Sequence, residues 1–129
     1  MRIALLTILC SLLSLPASAQ QARWLPILSN DSNLIVYFDT AFLSNQAGLT
    51  TVQTYHQLNK KDEYGATKKI VRYRFNCDRR LWTIESLARL DDNNIIISFV
   101  RNEELNKLTP VTQKSIVGVV YKYACIPSR

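Results

Sequence analysis

The chain predicts an α+β domain in which consecutive strands form an antiparallel meander and a C-terminal helix packs on its inner face. Three observations predict it. The stretch Val71-Arg72-Tyr73-Arg74-Phe75-Asn76-Cys77 alternates apolar and polar residues with the period of a strand that has one wet face. Around it, β-branched and aromatic segments are separated by dense turn signals with no helical pattern between them, the order of an antiparallel meander. Near the C-terminus, Ile116, Val119, Val120 and Tyr123 recur at helical spacing and give an apolar face.

At 129 residues the chain has room for one domain and a small core. Apolar residues are 47% of the total and charged residues 20%, which excludes a disordered or fibrous chain. Met1 and Arg2 are followed by an apolar run from Ile3 to Leu15 and by Pro16-Ala17-Ser18-Ala19, the pattern of a secretory leader cleaved after Ala19. The run is shorter than the roughly 20 apolar residues a transmembrane anchor needs. Residues 1–19 are therefore expected to be a signal peptide and 20–129 the domain. Cys10 has Leu9 before it and Leu12, Leu13 and Leu15 after it, unlike a lipid-attachment cysteine, and reads as an apolar leader residue.

Six strands follow. Trp24-Leu25-Pro26-Ile27-Leu28 makes the first, its proline marking an edge. Ser29-Asn30-Asp31-Ser32-Asn33 turns the chain into Leu34-Ile35-Val36-Tyr37-Phe38, the return leg of a hairpin. Asp39-Thr40 is read as the cap of a single helical turn through Phe42 and Leu43, ended by Asn45-Gln46-Ala47-Gly48. A third strand covers 49–58 and the polar stretch 59–66 is an exposed loop. The fourth strand runs over 68–77, and Asp78-Arg79-Arg80 leads into a fifth. There, simple alternation puts Trp82, Ile84, Ser86, Ala88 and Leu90 on one side and Leu81, Thr83, Glu85, Leu87 and Arg89 on the other. Asp91-Asp92-Asn93-Asn94 turns into Ile95-Ile96-Ile97-Ser98-Phe99-Val100, the sixth. Thr109-Pro110 is read as the start of the helix, with Thr as N-cap and Pro at the first helical position.

Beyond the leader only Cys77 and Cys125 remain. In an exported chain the compartment is oxidising, so an even count argues for a bridge, and only one pairing exists. On the chain-entropy model such a closure stabilises by roughly 4 kcal/mol. The spacing does not fit a CxxC motif, and two cysteines with the single histidine, His56, fall short of a tetrahedral zinc site.

Several features resemble the surface-adhesin protein E family of Gram-negative bacteria. They are Trp24 followed by a Ser/Asn/Asp turn, Val36-Tyr37-Phe38-Asp39, the Tyr73-x-Phe75-x-Cys77 strand with basic residues after it, and Ser115 to Val120 followed by Tyr121-Lys122-Tyr123-Ala124-Cys125. The ordered set spans Ala22 to about Ile126. The resemblance implies a twisted antiparallel sheet of about six strands, with the C-terminal helix held on its concave face by one disulfide. It also implies a non-enzymatic, homodimeric binding module for host extracellular-matrix or plasma proteins. The chain departs from the family in lacking a lipidation cysteine. A soluble periplasmic structural or accessory protein of the envelope, with no host ligand, is the alternative, and the expected location is periplasm or cell surface.

Charge supplies the candidate binding residues. The formal charge is +6, and between Lys60 and Arg80 eight cations face three carboxylates, a local excess of five. Lys60, Lys61, Lys68, Lys69, Arg72 and Arg74 are the candidate contacts for a host matrix or envelope protein or an acidic or sulfated ligand. The competing reading is a solvated strand face, since Arg72 and Arg74 take the outward positions of any such strand, and Glu85 on the next strand is placed to neutralise one of them. His56 lacks a nucleophile or orienting acid in the sequence, so no catalytic residue is assigned. No metal site or cofactor is expected, and export with no nucleic-acid motif argues against nucleic acid. The six tyrosines fit either an interface or core edges with wet hydroxyls.

Overall fold

A computed structural model describes residues 23–29 and 34–126. The expected leader with Cys10 and its cleavage point, and residues 30–33 of the expected first turn, lie outside the described residues. Seven strands form one antiparallel sheet: β1 (Trp24–Ser29), β2 (Ile35–Gln46), β3 (Leu49–Gln57), β4 (Lys68–Asn76), β5 (Leu81–Leu90), β6 (Ile96–Arg101) and the two-residue β7 (Thr109–Pro110). Their order is β1-β2-β3-β4-β5-β6, with β7 beside β5, and the single described helix, α1, is Ile116–Cys125. The six-stranded meander with a C-terminal helix is thus the architecture the strand and turn pattern predicts.

Val71, Tyr73 and Phe75 of β4 are buried with Phe38, Val52 and Val120 in one cluster, so the face they share is the one α1 covers. Tyr121 of α1 meets Phe75 edge-on at 5.8 Å and donates its hydroxyl to the carbonyl of Cys77 at 2.8 Å. The Cys77–Cys125 disulfide, with Cα atoms 5.3 Å apart, fastens the end of α1 to the end of β4.

Three local expectations are corrected. Alternation does not continue through β5, because Arg72 pairs with Ser86 and Tyr73 with Ile84, leaving Glu85 as an extra residue. A one-residue bulge exchanges faces. Trp82, Ile84 and Leu87 therefore all reach the helix-side core, while Ser86 and Ala88 pair with Arg72 and Ile70 on the other face. The helix does not begin at Thr109: Thr109 and Pro110 pair with Trp82 and Leu81 at the sheet edge, where proline costs no ladder bond. Ser115 is the N-cap instead, its Oγ accepting from the Gly118 N–H at 3.1 Å. Asp39-Thr40 opens no helical turn. β2 stays extended to Gln46, and residues 39–42 bulge between the pairs Phe38↔Thr54 and Leu43↔Val52, because the Asp39 carboxylate is drawn inward, as described below.

Candidate binding face

The face of the sheet away from α1 carries the most distinctive surface. Register pairs run Pro26↔Tyr37, Tyr37↔Tyr55, Tyr55↔Ile70, Ile70↔Ala88 and Ala88↔Phe99. One apolar row therefore crosses all six long strands, exposed at Pro26 and Phe99, half-buried at Tyr37, Tyr55 and Ile70, and buried at Ala88. An antiparallel sheet with one solvated face ordinarily turns polar residues outward, and here the outward row is polar at none of its six positions. Trp24 joins it, its ring 5.8 Å from that of Tyr55, which is itself 5.7 Å from Tyr37. With Ile70 and Leu90 these rings floor an open depression of about 480 Å³, and the amides of Gln57 and Asn94 stand at its rim. At the far end Phe99 is 59% exposed. Burial raises the Tyr55 hydroxyl above its ordinary pKa, reinforced by Tyr37, so the shelf is uncharged at neutral pH.

A polar band adjoins the shelf. Gln53, Arg72, Ser86 and Arg101 are register neighbours on successive strands. Asp39 anchors the band. Its buried carboxylate accepts from Arg23 at 2.9 and 2.8 Å, from the Ala41 N–H at 3.0 Å and from Gln53 at 3.1 Å. Burial alone pushes this carboxyl up; the bonds from Arg23, Ala41 and Gln53 outweigh it and hold the group below the usual carboxylate range. Gln53 Oε1 then accepts from Arg72 Nε at 2.8 Å, and the Arg72 guanidinium lies 4.6 Å from the centre of the Phe42 ring. Arg72 is held in place by these neutral partners. The side chain of Arg101, whose backbone pairs with Ser86, has no hydrogen-bonding or ionic partner among the described residues.

The basic residues singled out from sequence do not form one patch. Lys68, Arg72 and Arg74 occupy the open face, whereas Lys69 is on the helix side, 3.8 Å from Asp62. Arg74 pairs with Glu85 at 3.3 Å, as the neighbouring-strand position predicts. Lys60 and Lys61 are exposed in the β3–β4 loop. That loop is folded by Asp62, which accepts from the N–H groups of Tyr64 and Ala66, both at 2.9 Å, while Arg89 lies 3.6 Å from its other oxygen and stacks on Tyr64 at 4.2 Å. Sequence reasoning missed Arg101 and the apolar row. Arg101 is remote from the basic stretch in sequence and becomes a neighbour of Arg72 only through β5. Each member of the row sits on its own strand, so no local window contains two of them.

His56 is buried on the helix side with Nε2 2.9 Å from Thr54 Oγ1. Burial, and then the charge of Lys69, lower its pKa to about 4. Tyr73 beside Thr54 is pushed up to about 12 by burial. Both groups are neutral at physiological pH. Among the described residues no three His, Cys, Asp or Glu side chains converge to hold a metal, and no helix is long and apolar enough to cross a membrane. No family model, curated protein or solved structure matches the chain.

Proposed function

We propose that the chain is an exported, non-enzymatic binding module of the cell envelope, similar in role to surface adhesin E, that holds a protein partner against the open face of its sheet. The observation that carries this reading is the six-strand apolar row with the cationic band beside it. Open apolar surface rimmed by polar groups, as in the Trp24, Tyr37, Tyr55 and Ile70 depression of this row, marks interaction sites, and Tyr, Trp and Arg are the residues that dominate binding energy at interface centres. Lys68, Arg72 and Arg101 add a positive edge that favours an acidic region of a host matrix, plasma or envelope protein. The bridge between Cys77 and Cys125 supports maturation in an oxidising compartment.

The test is binding of the mature protein to immobilised host matrix and plasma proteins and to an envelope extract, with Tyr37→Ser/Tyr55→Ser and Arg72→Gln/Arg101→Gln double variants as comparators. The tyrosine variant is expected to bind at least tenfold more weakly, and the arginine variant to lose the salt dependence of binding. Equal binding by wild type and both variants, with unchanged far-ultraviolet circular dichroism, overturns the assignment of the face.

A further inference from the structure

The two ends of the sheet differ in a way that assigns a docking edge. β1 is blunted: Pro26 lacks an N–H, and the register breaks between Pro26 and Leu28. Such devices keep an edge strand from pairing with another chain. β6 has neither proline nor internal charge. Ile96, Phe99 and Val100 are 59%, 59% and 53% exposed. A bulge at Ile97 precedes a regular stretch in which Ser98, Val100, Phe99 and Arg101 pair with Arg89, Leu87, Ala88 and Ser86. Asn102 ends the strand, its amide donating to Thr83 Oγ1 and to the Ile84 carbonyl.

We infer that β6 accepts an extended segment of the protein partner as a further antiparallel strand, and that this segment carries an acidic residue opposite Arg101 followed by two apolar residues opposite Val100 and Phe99. The inference rests on the protein-binding reading above and specifies where and how the partner is held. An added strand continues the two rows of the open face, one ending at Phe99 and the other at Arg101. The first row asks for an apolar side chain. The second runs from Gln53 through Arg72 to Arg101, and its anchoring carboxylate, Asp39, is taken up by Arg23 at the far end, so the residue that extends it beside Arg101 is acidic by charge complementarity. Val100 points to the helix side and asks for an apolar neighbour there. Charge also argues against a second copy of this chain: antiparallel self-pairing about the centre of β6 brings Ile95 or Ile96 opposite Arg101 and leaves its charge without a partner. Main-chain bonds supply affinity in strand addition and the alternating side chains supply specificity.

The probe is the peptide acetyl-Thr-Thr-Glu-Val-Val-Thr-Thr-amide, titrated to millimolar concentration into the mature protein and followed by amide nuclear magnetic resonance and hydrogen exchange. Controls are the peptide with lysine in place of glutamate and one with N-methylated valines. The expected result is protection of β6 amides, at least tenfold weaker binding of both controls, and reversal of the glutamate–lysine preference in Arg101→Glu. No change at β6 amides, equal binding of the lysine peptide, or equal binding of the N-methylated peptide overturns the proposal. So does self-association of the free protein with β6 amides already protected, which assigns the edge to a second copy. Failure here, with tyrosine-dependent partner capture retained, removes the added strand and leaves the open-face reading standing.

Discussion

His56 carries the largest pH lever among the described side chains. Its folded pKa of about 4 lies below the ordinary 6.5 because burial disfavours the imidazolium, with Lys69 adding to the effect. In the unfolded chain the same group protonates near 6.5. Between these values the unfolded state binds the extra proton, so stability is fully present above about pH 6.5 and falls as the pH drops toward 4. The span corresponds to about 3 kcal/mol. Denaturant melts from pH 7 to pH 4 should show this loss in the wild type and a much flatter profile in His56→Gln; parallel profiles assign the acid sensitivity elsewhere. Asp39 acts in the same direction at lower pH: its lowered pKa adds stability that is present above the ordinary carboxylate pKa and lost on acidification below that range.

The helix is the element most dependent on its surroundings. Glycine in a helix interior ordinarily costs up to about 1 kcal/mol against alanine. At Gly118 a Cβ would lie 2.5 Å from the carbonyl oxygens of Thr112 and Gln113. The chain entering α1 crosses this point, held by Ser115 Oγ donating to the Thr112 carbonyl at 2.6 Å. Gly118→Ala is therefore expected to destabilise by about 1–3 kcal/mol despite its better propensity, read as a lowered denaturant midpoint with the disulfide intact. A gain in stability would show that the 112–113 segment yields. At the other end of α1 the disulfide joins cysteines separated by 48 positions in sequence, a closure worth about 4 kcal/mol on the entropy model. β5 shows the same dependence on context: without the bulge at Glu85, Trp82 and Ile84 would turn to the open face and leave the helix-side core.

For the whole molecule, charge sets the long-range behaviour. Residues 1–19 hold one of the sixteen Lys and Arg residues, so the chain from residue 20 onward is basic with or without them. Its positive groups are divided between the two faces and the β3–β4 loop, which makes the open-face band of Arg72 and Arg101 the salt-sensitive part of any contact there, screened over about 8 Å at physiological ionic strength. Intact-mass measurement on the exported protein should give a chain beginning at Gln20 with no acyl groups and with two hydrogens fewer than the reduced form. An uncleaved or acylated N-terminus, or two alkylatable thiols, would contradict the export reading.

Composition and periodicity by themselves determined the strand count of the meander, the edge position of Pro26, the inward placement of Val71, Tyr73 and Phe75, and the Cys77–Cys125 pair. These follow from side chains a few residues apart, and two cysteines leave one pairing. Tertiary structure decided the rest. A bulge shifts a strand by one residue without a mark in composition, so the β5 faces were reversed beyond Glu85. Thr109-Pro110 suits a helix start and a sheet edge equally, and the open edge of β5 selected the edge. The binding face was assembled by register between six strands, which placed Arg101 across Ser86 from Arg72; backbone pairing across the sheet, rather than any local preference, sets those neighbours.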